Sequence, residues 1–237
     1  MIPNYDTVYT EWCPGRIFAW LPGDTEDLYN YNMKHRRSEL ISNNWVDYTQ
    51  FTYQFNSLGF RCNEFTSDPS IMFLGCSYTL GTGLPVETIW PELISAQLKM
   101  QCVNLGVGGS SCDTAFRLCH GYIDKIKPKI VVLMNPPAIR MEHILGSPKN
   151  LMVNHCHNKE SEMMFKLWIS DENNDFFNRE KNVLGIQMMC HTRGIKFIYV
   201  ESASLATSCL STSLARDLAH AGIESHQLFA DSIINQF

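Results

Sequence analysis

Residues 71–85, with the sequence IMFLGCSYTLGTGLP, join a short apolar run to a turn of small and hydroxylated residues. The run at residues 71–74 has the length and composition of a buried strand, and Gly75 ends it abruptly. Ser77 follows within three residues of the end of this strand. A serine in this place is either an ordinary turn residue or a nucleophile held at the edge of a sheet, and residues elsewhere in the chain distinguish the two interpretations.

Short apolar runs of this kind alternate with segments of helical periodicity after residue 69. The predicted strands are residues 71–74, 102–105, 130–134 and 196–200. The predicted helices are residues 87–100, 113–126, 179–192 and 225 to the C-terminus. Strands separated by helices need right-handed crossover connections and build a parallel, doubly wound sheet. The sequence therefore predicts an α/β fold of three layers.

The loops that follow the strands form the predicted functional edge, because a doubly wound sheet binds ligands beyond the carboxyl ends of its strands. Ser77 follows the first strand, the glycine-rich loop at residues 106–111 follows the second, and Asn135 follows the third. The segment ARDLAHAG before the last predicted helix carries Asp217 and His220. A serine, an acid, a histidine and candidate oxyanion donors are thus expected on one edge.

The Asp-x-x-His spacing of Asp217 and His220 matters because a serine hydroxyl is a weak nucleophile on its own. A base must remove its proton, and a carboxylate must orient that base and stabilise its charge. Glycine N–H groups and asparagine amides are donors that stabilise an oxyanion. An Asp and a His in a loop are usually solvated surface residues. The pair therefore indicates catalysis only together with the serine and the oxyanion donors.

The glycine-rich loop, GVGGSS, also begins like a dinucleotide-binding fingerprint. Its third small position is Ser111, however, and no acidic residue ends a following strand about 20 residues on, as ribose binding requires. The turn after Gly75 lacks the Gly-Lys-Ser/Thr of a phosphate-binding loop. No nucleotide or other organic cofactor is therefore predicted.

The composition argues against several classes of protein. The chain has 237 residues, a net charge of −5 and a pI near 5.9, whereas a nucleic-acid-binding protein usually carries a basic stripe. No apolar run approaches the roughly 20 residues of a membrane span, and the N-terminus lacks the pattern of a signal peptide. The nine cysteines are an odd number without a Cys-x-x-Cys pair, which favours reduced thiols. We therefore expect a cytoplasmic protein with no nucleic-acid or membrane partner.

Residues 155–157, with the sequence His-Cys-His, raise a zinc hypothesis because imidazole and thiolate are both zinc ligands. Neighbouring side chains on an extended segment point to opposite faces, and no second pair of ligands has the spacing of a zinc site. The sequence therefore predicts no metal site.

The aromatic-rich sequence before residue 69 differs from the alternating pattern that follows it. Residues 1–68 are predicted to be a β-rich extension that packs on the domain formed by residues 69–237. Within the extension, FTYQFNSLGF at residues 51–60 predicts a hairpin or a pair of short strands around an Asn-Ser-Leu-Gly turn. Residues 141–177 show no clear period and are predicted to be an insertion or a lid.

Taken together, the motifs resemble those of the SGNH, or GDSL-type, serine hydrolases. The family's strand followed by Gly-Asp-Ser is similar to the segment FLGCS that ends at Ser77, and its asparagine-led glycine loop is similar to NLGVGG, which ends at Gly109. The family's Gly-x-Asn-Asp block is matched here only at Asn135. Its Asp-x-x-His block is matched in full by Asp217 and His220.

The resemblance implies a flavodoxin-like sheet, a triad of Ser77, His220 and Asp217, and catalysis without a metal or an organic cofactor. It also implies an oxyanion hole formed by the N–H groups of Ser77 and Gly109, with the side chain of Asn135 as a third donor. The implied activity is hydrolysis of O-acyl esters. The implied substrate is a small-molecule or glycan ester, with acetyl groups on a glycan as one candidate, and the oligomeric state stays open.

The resemblance covers residues 71–237, with departures in two blocks. The family's first aspartate is Cys76 here, and a thiol cannot accept the hydrogen bonds by which a carboxylate braces the nucleophile. A cysteine with a depressed pKa is itself a nucleophile, but this side chain should point away from the base. The third block lacks its glycine and aspartate around Asn135. His226 is a competing base, to which the family's closing pattern gives a structural role.

Two alternatives to an ester hydrolase stay open. An O-acyltransferase would use the same acyl-enzyme, with a hydroxyl group of a sugar acceptor in place of water. A catalytically silent binding module that kept the fold would explain Cys76 and the weak third block.

Overall fold

A computed structural model describes residues 13–46, 51–145, 147–151, 156, 158–201 and 212–236 of the chain. In chain order, the strands are β1 (Ile17–Phe18), β2 (Tyr53–Gln54), β3 (Ser70–Leu74), β4 (Gln101–Asn104), β5 (Ile130–Asn135), β6 (Met141–Leu145), β7 (Ser147–Leu151) and β8 (Lys196–Glu201). The α-helices are α1 (Glu26–His35), α2 (Arg37–Ser42), α3 (Ser77–Leu80), α4 (Trp90–Leu98), α5 (Cys112–Ile126), α6 (Lys159–Ile169), α7 (Glu172–His191) and α8 (Ile223–Ile234). None of the helices in these ranges combines the length and the apolar character needed to cross a lipid bilayer.

Four of these strands form one parallel sheet in the order β4-β3-β5-β8. They are the four strands predicted from the apolar runs, so the predicted parallel sheet is confirmed. Because β4 lies on one side of β3 and β5 on the other, the winding of the chain reverses at β3, as in flavodoxin-like sheets. The carboxyl ends of β3, β4 and β5 therefore surround the point where such folds bind ligands.

The two faces of the sheet are covered by different helices. One face packs against α5 and α7 through Met72, Leu74 and Val131. The opposite face packs against α4 and α8 through Ile71 and Phe73. Successive side chains of a strand point to opposite faces, so an uninterrupted apolar run is what burial on both sides requires. The structure confirms the three predicted layers, with helices on both sides of the sheet.

The segment before β3 differs from the predicted β-rich extension. Within the described residues its strand pairing consists of β1 with β2 and an isolated bridge between Leu21 and Asp24, and the helices α1 and α2 lie between β1 and β2 in the chain. The side chain of Thr25 caps α1 by accepting the N–H of Leu28 at 3.1 Å, and Glu26 and Asp27 occupy the first turn. The buried residue of α1 is Asn32. Because this inward position is polar, the sequence of α1 shows no clear apolar period.

The turn predicted at residues 56–59 is confirmed, but the predicted hairpin or pair of strands around it is wrong, because β2 precedes the turn and, within the described residues, no strand follows it before β3. The N–H of Asn56 donates to the backbone oxygen of Phe60 at 2.8 Å, and the N–H of Gly59 donates to the oxygen of Asn56 at 2.9 Å. β2, which precedes the turn, pairs instead with β1. The Oδ1 of Asn56 also accepts the N–H of Phe60 at 2.9 Å. The N–H of Phe60 is therefore bound within the turn and does not pair with another strand.

Residues 141–177, for which the sequence showed no period, contain a β-hairpin and helices. β6 pairs with β7, α6 follows, and α7 begins at Glu172, ahead of its predicted start at residue 179. The side chains of Asn158 and Asp171 cap α6 and α7 by accepting backbone N–H groups at 2.8 and 2.9 Å. Polar caps and polar first turns carry no apolar period, which explains the missed elements. The role of this region as an insertion or a lid stays a prediction.

Candidate active site

Residues 75–77, named the nucleophile turn after the predicted role of Ser77, join β3 to α3. A Cβ atom at Gly75 would lie 2.1 Å from the Oγ1 of Thr79 and 2.9 Å from the backbone oxygen of Met134, so only glycine fits there. Ser77 is the first residue of α3, and 9% of its surface is exposed. Because it begins the helix, its N–H group has no partner within the helix. The turn therefore presents both a hydroxyl and a backbone donor.

His220 lies between Ser77 and Asp217. Its Nε2 is 2.9 Å from the Oγ of Ser77, and its Nδ1 is 2.5 Å from the Oδ2 of Asp217. A carboxylate that accepts from Nδ1 keeps the proton on that nitrogen, so Nε2 is left to accept the hydrogen of the serine. The three residues that the motifs selected are thus in hydrogen-bond contact, in the order serine, histidine and aspartate.

The acid–base loop, residues 214–221, is shaped by its own backbone. The Oδ1 of Asp217 accepts the N–H groups of Ala219 at 2.9 Å and of His220 at 3.0 Å. Leu218 has a φ of 54°, in the left-handed region, and its N–H donates to the backbone oxygen of Ala215 at 2.8 Å. Asp217 is 2% exposed, whereas the side chain of His220 is 20% exposed. The carboxylate is therefore fixed inside the protein while the imidazole stays within reach of a ligand.

The glycine-rich loop after β4 lies against the nucleophile turn. The N–H of Val107 and the Oγ of Ser110 both donate to the backbone oxygen of Gly75, at 3.1 and 3.0 Å. Gly109 lies between these two residues with a φ of 72°, in a turn closed by the N–H of Ser110 on the oxygen of Val107. These bonds bring the loop of Gly109 to the turn that carries Ser77.

Asn104, which leads the glycine block, braces α3 from the end of β4. Its Nδ2 donates to the backbone oxygen of Thr79 at 2.8 Å, and its Oδ1 accepts the N–H of Gly106 at 2.9 Å. A Cβ atom at Gly106 would lie 2.6 Å from the backbone nitrogen of Leu80. The glycine loop and α3 are therefore in direct contact, and the buried Asn104 holds them together.

Asn135 lies at the end of β5, as predicted, but its amide already has partners. Its Oδ1 accepts from the Sγ of Cys112 at 2.6 Å, and its Nδ2 donates to the hydroxyl of Tyr199 at 2.9 Å. That hydroxyl donates in turn to the Oε1 of Glu201 at 2.6 Å, which makes Tyr199 the acceptor of the asparagine hydrogen. Among the described residues, no hydrogen bond joins Asn135 to Ser77. One of its two amide hydrogens is thus committed to the hydrogen bond with Tyr199.

Cys76, which replaces the aspartate of the family's first block, is fully buried. Its backbone oxygen accepts the N–H groups of Thr79 at 3.0 Å and Leu80 at 2.9 Å, which begin α3. The side chain in contact with His220 is that of Ser77, not that of Cys76. The bracing of the nucleophile turn rests on the asparagine and the backbone contacts described above.

His226, the competing base, is used at the start of α4. Its Nδ1 accepts the N–H of Trp90 at 3.1 Å, and the ring is buried. Burial, with a smaller contribution from the charge of the nearby His220, lowers the pKa of His226 to about 3. His226 is therefore neutral near pH 7 and serves as a hydrogen-bond acceptor for a helix that would otherwise begin with an unpaired donor.

Tyr78 lies beside His220, and Arg140 lies beside the glycine-rich loop. The rings of Tyr78 and His220 meet edge to face, with their centroids 5.3 Å apart. Burial raises the pKa of Tyr78, so its hydroxyl is neutral at physiological pH. The Nη1 of Arg140 is 3.4 Å from the backbone oxygen of Ser110, next to the glycine that the motifs assign to the oxyanion hole. An aromatic side chain and a cationic side chain thus lie beside the site.

Residues far upstream contact the acid–base loop, and the sequence motifs did not identify them. The Nδ2 of Asn32 donates to the backbone oxygen of Asp217 at 3.2 Å. Asp24 forms a buried ion pair with Arg216, with 2.6 Å between the nearest oxygen and nitrogen. A charged residue directly before Asp217 was the only sequence signal for this contact, since polar pairs between distant segments leave no periodic pattern.

Within the described parts of the chain, no group of three or more His, Cys, Asp or Glu side chains could hold a metal ion. Of the His-Cys-His cluster considered for zinc, Cys156 is described, while residues 155 and 157 lie outside the described ranges.

No protein-family model matches the sequence, and no similar sequence is found among curated proteins. The chain is similar in fold to several solved structures. TesA is 10% identical, with a TM-score of 0.48 over 69% of this chain and 95% of TesA. A member of the lipolytic protein G-D-S-L family from Veillonella parvula DSM 2008 is 15% identical, with a TM-score of 0.40 over 71% of this chain and 97% of that chain. The psychrotrophic esterase EstA from Pseudoalteromonas sp., inhibited by monoethylphosphonate, is 12% identical, with a TM-score of 0.39 over 71% and 98% of the two chains.

The TM-scores lie below 0.5 and the identities at or below 15%, so no activity is carried over from these proteins.

Proposed function

We propose that this protein is a serine ester hydrolase of the SGNH type, with Ser77 as the nucleophile, His220 as the general base and Asp217 as the acid that orients it. The observation that supports this most directly is the pair of hydrogen bonds made by one imidazole, at 2.9 Å to the serine and 2.5 Å to the carboxylate. A general base must lie within about 2.6–3.2 Å of the group whose proton it takes, and His220 meets that condition.

In the first half of the reaction, the Oγ of Ser77 forms a bond to the acyl carbon of the ester while its proton moves to the Nε2 of His220. The carbonyl oxygen becomes an oxyanion, and Asp217 stabilises the imidazolium. Collapse of this tetrahedral intermediate breaks the bond to the alcohol oxygen. The leaving oxygen takes the proton from His220, so an alcohol departs and the acyl group stays on Ser77.

In the second half, a water molecule takes the place of the alcohol. His220 accepts a proton from the water as its oxygen bonds to the acyl carbon, and a second oxyanion forms. When this intermediate collapses, the bond to the Oγ of Ser77 breaks and the serine recovers its proton from His220. A carboxylic acid leaves and the free enzyme is restored, with no metal or organic cofactor taking part.

The oxyanion is proposed to be held by the backbone N–H groups of Ser77 and Gly109. The hydrogen bonds of the glycine loop to the oxygen of Gly75 support this, because they bring the loop to the nucleophile turn. Backbone donors fixed in this way need no reorganisation as the charge develops. Asn135 is the proposed third donor and would act through its second amide hydrogen, since the first is bound to Tyr199.

The proposed substrates are O-acyl esters, with acetyl groups on a glycan as the candidate natural substrate. This choice of substrate rests on the family resemblance and not on the geometry of the site. An O-acyltransferase would form the same acyl-enzyme, so the two activities are distinguished by the fate of the acyl group. Incubation of an acetylated donor with and without a free sugar acceptor tests this. Hydrolysis releases acetate in both cases, whereas transfer produces a new sugar ester only when the acceptor is present.

The assignment of residues 69–237 as the hydrolase domain and of residues 1–68 as an extension packed on it is also proposed. Leu40 and Trp45 of the extension share one buried apolar cluster with Leu84, Ile89 and Ala215. Removal of such a segment would expose this cluster to water, so a chain that begins at residue 69 is expected to be unstable or insoluble. A truncated chain that unfolds cooperatively would show that the extension is independent.

The proposal is tested by hydrolysis of p-nitrophenyl acetate. Wild-type protein should release nitrophenolate catalytically, and Ser77→Ala should reduce the rate to the background of the buffer. Ser232→Ala, which removes an exposed hydroxyl of α8, is the matched control and should keep the wild-type rate. A wild-type rate equal to that of Ser77→Ala would leave the silent binding module as the better interpretation.

A further inference from the structure

A closed ring of hydrogen bonds connects the chain just after α3 to the acid–base loop. The N–H of Gly83 donates to the hydroxyl of Tyr53 at 2.7 Å, and that hydroxyl donates to the Oδ2 of Asp24. Asp24 accepts the Nη2 of Arg216 at 2.6 Å and its Nε at 3.2 Å. The backbone N–H of Arg216 closes the ring by donating to the oxygen of Gly83 at 3.1 Å. Two of the four residues thus come from the segment before β3.

The ring is buried and its charges are compensated. Asp24 and Arg216 are each 1% exposed. The guanidinium of Arg216 lies between the rings of Trp20 and Phe51, at 3.9 and 4.0 Å from their centroids, and its Nη2 also donates to the oxygen of Ala19 at 3.1 Å. A buried charge is tolerated only when it is paired and hydrogen-bonded, and a satisfied buried network is stiff. The ring therefore defines one arrangement of the segments it joins.

Gly83 brings this ring into contact with the triad itself. A Cβ atom at Gly83 would lie 2.8 Å from the Cβ of Ala215 and 3.4 Å from the Oδ1 of Asp217. On the other side of the acid–base loop, Asn32 donates to the backbone oxygen of Asp217. The Nε1 of Trp45 donates to the oxygen of Leu214 at 2.7 Å. The acid–base loop is thus held between Gly83 and the segment before β3.

We propose that Asp24 and Tyr53 are positioning residues, which lock the acid–base loop in register with Ser77. This inference rests on the proposed function. Asp24 and Tyr53 touch neither the serine nor the imidazole, and they act through Gly83 and Arg216. Catalysis is sensitive to displacements of about 1 Å between reacting groups, so loosening the ring should slow the chemical step more than it weakens substrate binding.

Tyr53→Phe is the decisive variant, because it removes one hydroxyl from the ring and leaves the Asp24–Arg216 pair in place. We expect kcat for p-nitrophenyl acetate to fall about tenfold with KM within about twofold of wild type. Asp24→Asn, measured on folded protein, should lower kcat further, again with little change in KM. The control is Asn56→Ala, which disturbs the turn of the same segment, away from the acid–base loop. At a temperature where all variants are folded, the control should keep its kcat.

A readout that does not depend on ester hydrolysis is the proton NMR signal of the Nδ1–H of His220, assigned by its loss in His220→Ala. Tyr53→Phe should shift or broaden this signal, whereas Asn56→Ala should leave it in place. If Tyr53→Phe lowers the melting temperature but changes neither kcat nor the signal, the ring is merely structural and the inference is wrong. If wild type hydrolyses no ester, the proposed function fails, and the NMR signal still decides whether the ring positions His220.

Discussion

The Nε2 of His220 lies 2.9 Å from the Oγ of Ser77, although 143 positions separate these residues in the chain. Ser77 is placed by the end of β3 and the start of α3, and His220 by the acid–base loop that precedes α8. No local element connects the two. Their contact therefore exists only in the complete tertiary fold, which is why it carries more information than either motif alone.

Ser77→Ala and His220→Ala are each expected to lower kcat for p-nitrophenyl acetate by at least about 10³-fold, because either change removes the attack of the serine on the ester. The double variant should be little slower than either single variant, since the two residues act as a unit. Initial rates at equal concentrations of folded protein check this. A double variant whose loss is the product of the two single losses would show that the residues act independently.

Asp217→Asn is expected to lower kcat by roughly 10³–10⁴-fold, because an amide neither stabilises the imidazolium nor keeps the required tautomer of His220. The matched control is Asp231→Asn, on the exposed side of α8, where the carboxylate accepts from Gln227 at 3.0 Å. That variant should keep wild-type kinetics. Retention of more than a tenth of the activity in Asp217→Asn would remove this residue from the triad.

Cys76→Ala is expected to keep kcat within about threefold of wild type, because the thiol is buried and the side chain that contacts His220 is that of Ser77. Loss of a small buried group should lower stability by about 1 kcal/mol. Kinetics with p-nitrophenyl acetate and thermal unfolding measure the two effects separately. A Cys76→Ala variant that is folded and as inactive as Ser77→Ala would indicate a cysteine nucleophile.

His226 should make the stability of the protein depend on pH. Its pKa is about 3 in the folded protein and 6.5 ordinarily, so between these values the unfolded chain binds the extra proton. The stabilisation is complete above about pH 6.5 and is lost as the pH falls toward 3, with about 2 kcal/mol lost at pH 5. Urea unfolding at pH 8 and pH 5 should show a smaller loss for His226→Asn than for wild type, by about that amount.

Ser232→Ala, which changes no titratable group, provides the control for this pH experiment. It should lose as much stability between pH 8 and pH 5 as wild type does. If His226→Asn also shows the wild-type loss, the buried imidazole is not the group that titrates between the folded and unfolded states.

The strands, and the motifs whose residues meet at the site, could be predicted because their signals are local. β3 and β5 are continuous apolar runs, which burial on both faces of a sheet requires. The ends of parallel strands meet at one edge, so the sequence alone was enough to place the motifs at Ser77 and Gly109 together. The Asp-x-x-His pair needs only its own short loop to bring the acid to the base.

The contacts that fix the acid–base loop could not be predicted. Asn32 and Asp217 are 185 positions apart, and Asp24 and Arg216 are 192 positions apart. Each is a single polar contact between segments with no shared period, and α1 itself was missed because Asn32 takes the buried position. The hydrogen bond from Asn135 to Tyr199 is likewise a tertiary contact. The sequence around Asn135 does not indicate it.

The site at which a serine-directed phosphonate binds covalently, mapped by tandem mass spectrometry of the digested protein, shows directly whether Ser77 is the nucleophile. Activation of Ser77 by His220 predicts one equivalent of phosphonate on Ser77 in the folded wild type. The same reagent should leave Ser77→Ala unlabelled and should label His220→Ala at least about 10³-fold more slowly. Folded wild-type protein that stays unlabelled, or that carries the phosphonate on another residue, would contradict a serine hydrolase with Ser77 as its nucleophile.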